Sequence, residues 1–185
     1  MTPMISQTAV ILLSILGLAL LSYLLYRLIR LYLKYRGARI VECPETKAPA
    51  AVELNAMRAL ATGGKPSAFQ LKDCSRWPEH QSCGQECLSQ IESSPESCLL
   101  RTIIAHWYSD KSCTVCAMPI GVVDWMHHKP ALLSPDRLSI DWNTVAPEEV
   151  PELLKTHKPI CWNCHVATTF RHSHPELVID RPWRK

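Results

Sequence analysis

Cys161-Trp162-Asn163-Cys164-His165, close to the C-terminal end, and Cys113-Thr114-Val115-Cys116, 44 residues (117–160) upstream of it, are two CxxC pairs in a chain of 185 residues with nine Cys. Two such pairs supply four thiolates, the number a tetrahedral structural zinc takes. The two-residue gap lets both sulfurs of a pair reach one ion. In a reducing compartment, paired Cys favour a metal over a disulfide. Cys113, Cys116, Cys161 and Cys164 are therefore the first candidate ligand set, with zinc as the expected ion. An iron–sulfur cluster is the other inorganic group that four thiolates hold, although these spacings match no standard ferredoxin run.

The other five Cys lie upstream: Cys43, Cys74, Cys83, Cys87 and Cys98. Cys83 and Cys87 are four apart, so on a helix they share one face. With Cys43 and Cys74 they make a second four-thiolate set, and Cys74, Cys83, Cys87 and Cys98 is the other grouping that the order allows. The plain alternative is that several are small buried apolar residues.

Between these markers the elements are short. Pro44, Pro49, Gly63, Gly64 and Pro66 surround the Ala-rich stretch 48–61, which predicts a short helix between two loops. A helix is expected over 84–92. Ser94 as N-cap and Pro95 at the first helical position predict another over 95–108. Strands are expected over 120–126 and 138–142 with a Pro-containing loop, 127–137, between them. Pro147, Glu148 and Glu149 open a helix to about Lys155, and a last helix is expected over 165–174, ended by Pro175.

A CxxC knuckle, a pair of strands and a second CxxC at the start of a helix form an order that resembles the treble-clef and zinc-ribbon families, over residues 113–175. The resemblance implies a small α+β domain folded around zinc at Cys113, Cys116, Cys161 and Cys164. His127-His128 followed by residues 161–165 is also similar to the treble-clef nucleases of the HNH type, which carry a catalytic His on the hairpin. Cys161-Trp-Asn-Cys164-His165 has the form CxxCH, which resembles the c-type haem attachment site. That resemblance implies haem bonded to Cys161 and Cys164 with His165 as proximal ligand, and His172, His174, Met118 or Met126 as the distal one. It also implies a domain outside the cytoplasm. A thioredoxin-like dithiol is a further reading of CxxC, but no βαβ pattern surrounds either pair.

The N-terminal part reads differently. No Lys, Arg, Asp or Glu precedes Arg27, and residues 9–26 are an almost unbroken apolar run interrupted only by Ser14, Gly17 and Ser22. Such a run spans a bilayer as a helix. It lacks the basic n-region and the small-residue cleavage site of a secretory signal peptide. Arg27, Arg30, Lys34, Arg36 and Arg39 follow at once. By the positive-inside rule, a single-pass anchor in the cell membrane then has its N-terminus outside and its C-terminal domain in the cytoplasm. Arg27, Arg30 and Lys34 fall at i, i+3 and i+7, a helix face suited to lipid headgroups.

The formal net charge of +3 comes from that flank. Of 20 Lys and Arg, five lie there, leaving 15 against 17 Asp and Glu, so residues 40–185 carry 15 − 17 = −2. No nucleic-acid partner is expected from that balance. The length leaves no room for a large multi-domain enzyme.

No Gly-rich phosphate loop, nucleophile elbow or HExxH occurs, so no enzymatic activity is expected. His172 and His174, two apart, would lie on different helix faces and make a poor metal pair. Six Trp against two Phe suit a small core filled by a few large rings. Arg181-Pro-Trp183-Arg184-Lys185 is a candidate docking tail.

The expected architecture is thus α+β, an N-terminal transmembrane helix followed by a small metal-stapled domain. Its segments are 5–36 (anchor and basic extension), 37–72 (linker and short helix), 73–108 (Cys-rich helical segment) and 109–185 (CxxC…CxxC domain). The expected role is an adaptor or accessory subunit of a membrane protein complex. The rival is a membrane-anchored electron carrier with haem or an iron–sulfur centre.

Overall fold

The computed structural model describes residues 2–77, 79 and 83–178. The tail 181–185, read above as a docking element, lies outside the described residues.

The Leu-, Ile- and Ala-rich N-terminal stretch forms one helix, α1 (Thr2–Tyr35). At 1.5 Å per residue it is about 50 Å long, against about 30 Å for a bilayer's hydrocarbon core. Its part Gln7–Tyr35 is long and apolar enough to cross a membrane, and the most apolar window is covered by no other part of the described chain. Inside that window Ser14 returns its hydroxyl to the Val10 carbonyl at 2.9 Å. At its basic end Arg27 and Arg30 reach back one turn to the hydroxyls of Tyr23 and Tyr26 (3.5 and 3.2 Å).

Gly37, at φ 108°, breaks the helix and turns the chain into a sheet. Strands β1 (Ala38–Glu42), β2 (Pro49–Leu54) and β3 (Leu71–Cys74) pair antiparallel in the order β1-β2-β3. Alternation sets the buried face: Ala50, Val52 and Leu54 point inward from β2. They meet Val41, Leu71 and Tyr35 in one core with Ala59 of α2 (Ala56–Ala61) and Ile91 of α3 (Leu88–Ser93).

The helix predicted over 48–61 is therefore split. Its first half is a strand, because Ala50, Val52 and Leu54 repeat with period two against β1, and only the part after Asn55 is helical. Asn55 caps it, its side chain accepting the Arg58 N–H at 3.0 Å. Rather than a linker with one helix, residues 37–72 hold most of this sheet.

The second half packs α4 (Leu100–Tyr108) beside a small sheet of β4 (Ala131–Leu133), β5 (Ser139–Ile140) and β6 (Lys158–Ile160), antiparallel in the order β5-β4-β6. Helices α5 (Val150–Thr156) and α6 (Trp162–Ser173) flank β6 in the chain.

Three expectations change here. No strand forms over 120–126: Gly121 takes φ 64° and Val122 is 98% exposed, so its apolar residues share no face. The strand falls instead at Ala131-Leu132-Leu133, inside the predicted loop. All three are buried, so no alternation marks them. Finally, α4 begins at Leu100 rather than Pro95, because Leu99 is held extended in a bridge to Arg39 and Cys98 accepts the Ile40 N–H at 2.9 Å.

Tyr108 lies at the centre of this half, fully buried and donating to the Ala131 carbonyl at 2.6 Å. Trp107, Trp125 and Trp142 pack on the same cluster, the use of large rings that the composition led us to expect.

Candidate metal centre

The first half of the site is a hairpin loop. Ser112 pairs with Pro119. Inside that closure the Cys113 N–H donates to Met118 O at 2.8 Å and the Ala117 N–H donates to Cys113 O at 2.9 Å. Ala117 sits in the left-handed region at φ 60°, a conformation costly for a residue with a Cβ. This tight reversal turns both sulfurs of the pair to one side. Thr114 N–H fastens the loop to β6 through Pro159 O (2.9 Å).

The second half comes from β6 and α6. Strand β6 runs beside the hairpin and delivers Cys161 as the N-cap of α6, in extended conformation, with Cys164 in the first turn. The helix starts three residues earlier than predicted because Cys161 itself is the cap.

The four Sγ atoms of Cys113, Cys116, Cys161 and Cys164 all lie within 4.8 Å of one another. Those of Cys116 and Cys161 are 3.7 Å apart. A tetrahedron with zinc–sulfur bonds of about 2.3 Å has sulfur–sulfur edges of about 3.8 Å, so the observed edge fits a tetrathiolate ion. No disulfide occurs among the nine Cys.

The thiols are poised unequally. Burial pushes Cys113 up, but N–H groups of Cys161, Cys116 and Val115 directed at its sulfur more than offset this, bringing it down to about 6. Burial pushes Cys161 up, and burial together with its thiol neighbours Cys161, Cys116 and Cys113 pushes Cys164 up. Four sulfurs this close resist carrying four negative charges unless a cation sits among them.

His165 faces away from these sulfurs. It is buried, its Nδ1 lies 2.5 Å from Ser139 Oγ, and its Nε2 faces Asp141 Oδ2 at 3.9 Å. Asp141 is also paired with Lys129 at 3.2 Å. Burial lowers the His165 pKa while Asp141 opposes that shift, which favours a neutral ring tying α6 to β5. Ser139, Asp141 and Lys129 were not singled out from sequence. Their link to His165 spans loops, and no local pattern announces it.

The other residues considered for chemistry are dispersed. His127 and His128 are exposed and lie against Asp124 (3.4 and 3.8 Å), outside the four-thiol group. His172 and His174 are exposed at the end of α6, with His174 beside Glu176 at 3.5 Å. Met118 and Met126 are exposed too.

Of the upstream cysteines, Cys43, Cys74, Cys83 and Cys87 line one cavity. Cys98 does not: its thiol is directed at the carbonyls of Ser94 (3.3 Å) and Gln90 (3.7 Å). Of the two upstream groupings, only the one with Cys43 shares a cavity. The chain matches no protein-family model, no curated protein and no solved structure.

Proposed function

We propose that this is a single-pass membrane protein whose C-terminal domain faces the cytoplasm, is folded around zinc held by Cys113, Cys116, Cys161 and Cys164, and serves as a non-catalytic adaptor or accessory subunit of a membrane protein complex. The observation that carries the metal site is the convergence of four thiols from two distant CxxC pairs. A hairpin knuckle facing a helix N-terminus is also the arrangement that the treble-clef resemblance implies. Bound zinc would contribute folding free energy, because the two halves of the site have no other covalent link. The membrane assignment rests on the uncovered apolar length of α1. Its orientation rests on Arg27, Arg30, Lys34 and Arg36, all exposed at its C-terminal end.

A single iron in the same four thiolates is the second reading, favoured by one feature. Cys116 is exposed, so an ion there would lie near the surface, where electrons exchange readily. Covalent haem fits less well. The thiols of Cys161 and Cys164 face those of Cys113 and Cys116 across less than 4.8 Å, which leaves no space for a macrocycle, and both nitrogens of His165 are directed at other side chains.

Elemental analysis of the full chain purified in detergent tests the assignment. A loss of one zinc per chain on changing Cys116 and Cys161 to Ser supports it, iron lost in its place supports the electron carrier, and a metal content that this change leaves untouched, with the fold intact, overturns both. Labelling of a Cys introduced after residue 170 in intact and in permeabilised cells tests the orientation.

A further inference from the structure

We propose that Cys43, Cys74, Cys83 and Cys87 form a second tetrathiolate site, for zinc or another thiophilic divalent cation, at the end of the first sheet away from α1. The four are among fourteen residues that line a cavity of about 30 Å³; their sulfurs are not drawn together as those of the first site are, so a bound ion would have to close them around itself. A cavity above roughly 10–15 Å³ holds a water-sized occupant, so these side chains are not simply packed against one another. Cys74 and Cys87 are buried, and Cys43 and Cys83 are half-buried.

The strongest support is a backbone likeness between two loops. In the first site Ser112 pairs with Pro119, Cys113 N–H donates to the carbonyl five residues on, Ala117 N–H returns to Cys113 O, and Ala117 takes φ 60°. In the loop between β1 and β2, Glu42 pairs with Pro49 and Cys43 N–H donates to Ala48 O at 2.9 Å. Lys47 N–H returns to Cys43 O at 2.8 Å, and Lys47 takes φ 55°.

The two loops correspond residue by residue, Cys43 to Cys113 and Lys47 to Ala117. Thr46 stands where Cys116 stands in the other. Its hydroxyl and amide, with the Glu45 amide, are directed at the Cys43 sulfur, as the Val115 and Cys116 amides are at that of Cys113. The loop thus offers one sulfur where the other offers two, and Cys74 at the end of β3 supplies the further ligand.

The remaining pair is brought in by two glutamines. Gln85, itself at φ 56°, accepts the Leu71 N–H at 3.2 Å and so ties the Cys83–Cys87 segment to β3. Gln90 exchanges two hydrogen bonds with the Glu42 backbone (3.0 and 2.7 Å), which holds α3 beside Cys43. On binding, the thiols would coordinate as thiolates and release their protons to solvent.

The test is zinc per chain in the full-length protein in detergent, for the wild type, Cys43→Ser, Cys87→Ser and the double variant Cys116→Ser/Cys161→Ser. Circular dichroism serves as the folding control. The expected result is two zinc in the wild type, and one in Cys43→Ser, Cys87→Ser and the double variant. Because Cys87→Ser opens a buried site and can fail to fold, alkylation of the wild type supplies a second measurement: Cys43, Cys74, Cys83 and Cys87 should be protected until a chelator is added.

One zinc, untouched by Cys43→Ser and lost in the double variant, would overturn this site and leave the Cys113 site standing. The reverse pattern would uphold this site and remove the other. Ready alkylation of all four in the zinc-loaded chain, or a disulfide among them, would also overturn it.

Discussion

Arg39, the second residue of β1, donates from Nη1 to the carbonyl oxygen of Tyr35, the last residue of α1, at 3.0 Å. The same guanidinium reaches Lys34 O (2.8 Å), Gly37 O (3.1 Å) and Pro95 O (3.4 Å), and the residue is fully buried. Sequence reading counted Arg39 only among the five basic residues that follow the apolar run. Instead it caps the C-terminal carbonyls that a helix leaves unpaired and joins the membrane-length helix to the sheet.

Arg39→Ala should therefore cost about 3 kcal/mol, since it leaves several buried carbonyls without a donor. Arg39→Lys should recover only part, because one ammonium does not span all four acceptors. Chemical denaturation in detergent, followed by Trp fluorescence, reads both. A wild-type midpoint for Arg39→Ala would refute the cap.

The same junction relies on Gly64. It holds φ 75°, and a Cβ there would stand 3.1 Å from the Tyr35 ring and 3.2 Å from Leu31. Tyr35 also donates to Gly64 O at 3.3 Å and packs on Phe69 with ring centroids 5.0 Å apart. Gly64→Ala should destabilise by about 1–2 kcal/mol through backbone strain and crowding. Gly63→Ala, with open space around its Cβ but a similar φ of 66°, should cost less, and equal losses would show that Tyr35 does not press on this turn.

His165→Ala separates pinning from ligation. Removing a buried ring held by Ser139 and Asp141 should lower stability by about 2–3 kcal/mol while zinc per chain stays at the wild-type value. Loss of the metal with the fold intact would make His165 a ligand after all.

Asp141 provides an acid-side test. Burial raises its pKa, but the Asn143 N–H and Lys129 outweigh this and hold it below the ordinary 3.8. A carboxyl lowered on folding stabilises the native state above its unfolded value, and that contribution is lost as pH falls through the folded one. The wild type should thus lose stability, relative to Asp141→Asn, as the pH drops below about 4. Parallel pH profiles for the two proteins would exclude this role.

Tyr108→Phe should cost about 1–2 kcal/mol, because it removes a buried hydrogen bond of 2.6 Å to the Ala131 carbonyl. Thermal unfolding of the second half, followed by near-ultraviolet circular dichroism, checks it.

Much of the candidate site was legible because its signals are local. A CxxC spacing carries its own geometry, since two intervening residues are enough to aim two sulfurs at one point. The length of α1 was legible for the same reason: uninterrupted apolar residues need no partner to declare a helix. The strand at 131–133 was not legible, because a residue triplet buried on both faces has no periodicity. Nor was the strand half of 48–61, where Ala-rich composition favours helix and only pairing with β1 overrides it.

The sequence by itself determined the apolar N-terminal helix, the α+β character and the identity of the four thiols at the first site, all properties of neighbours along the chain. Tertiary structure alone decided which distant groups meet. It brought Cys113 to Cys161, set Cys43, Cys74, Cys83 and Cys87 around one cavity with Cys98 elsewhere, and withdrew Arg39 from the basic flank of α1 into the core. Spacing constrains the reach of a side chain over a few residues, whereas the meeting of residues far apart in the chain depends on the strand pairings and helix caps that only the folded chain supplies.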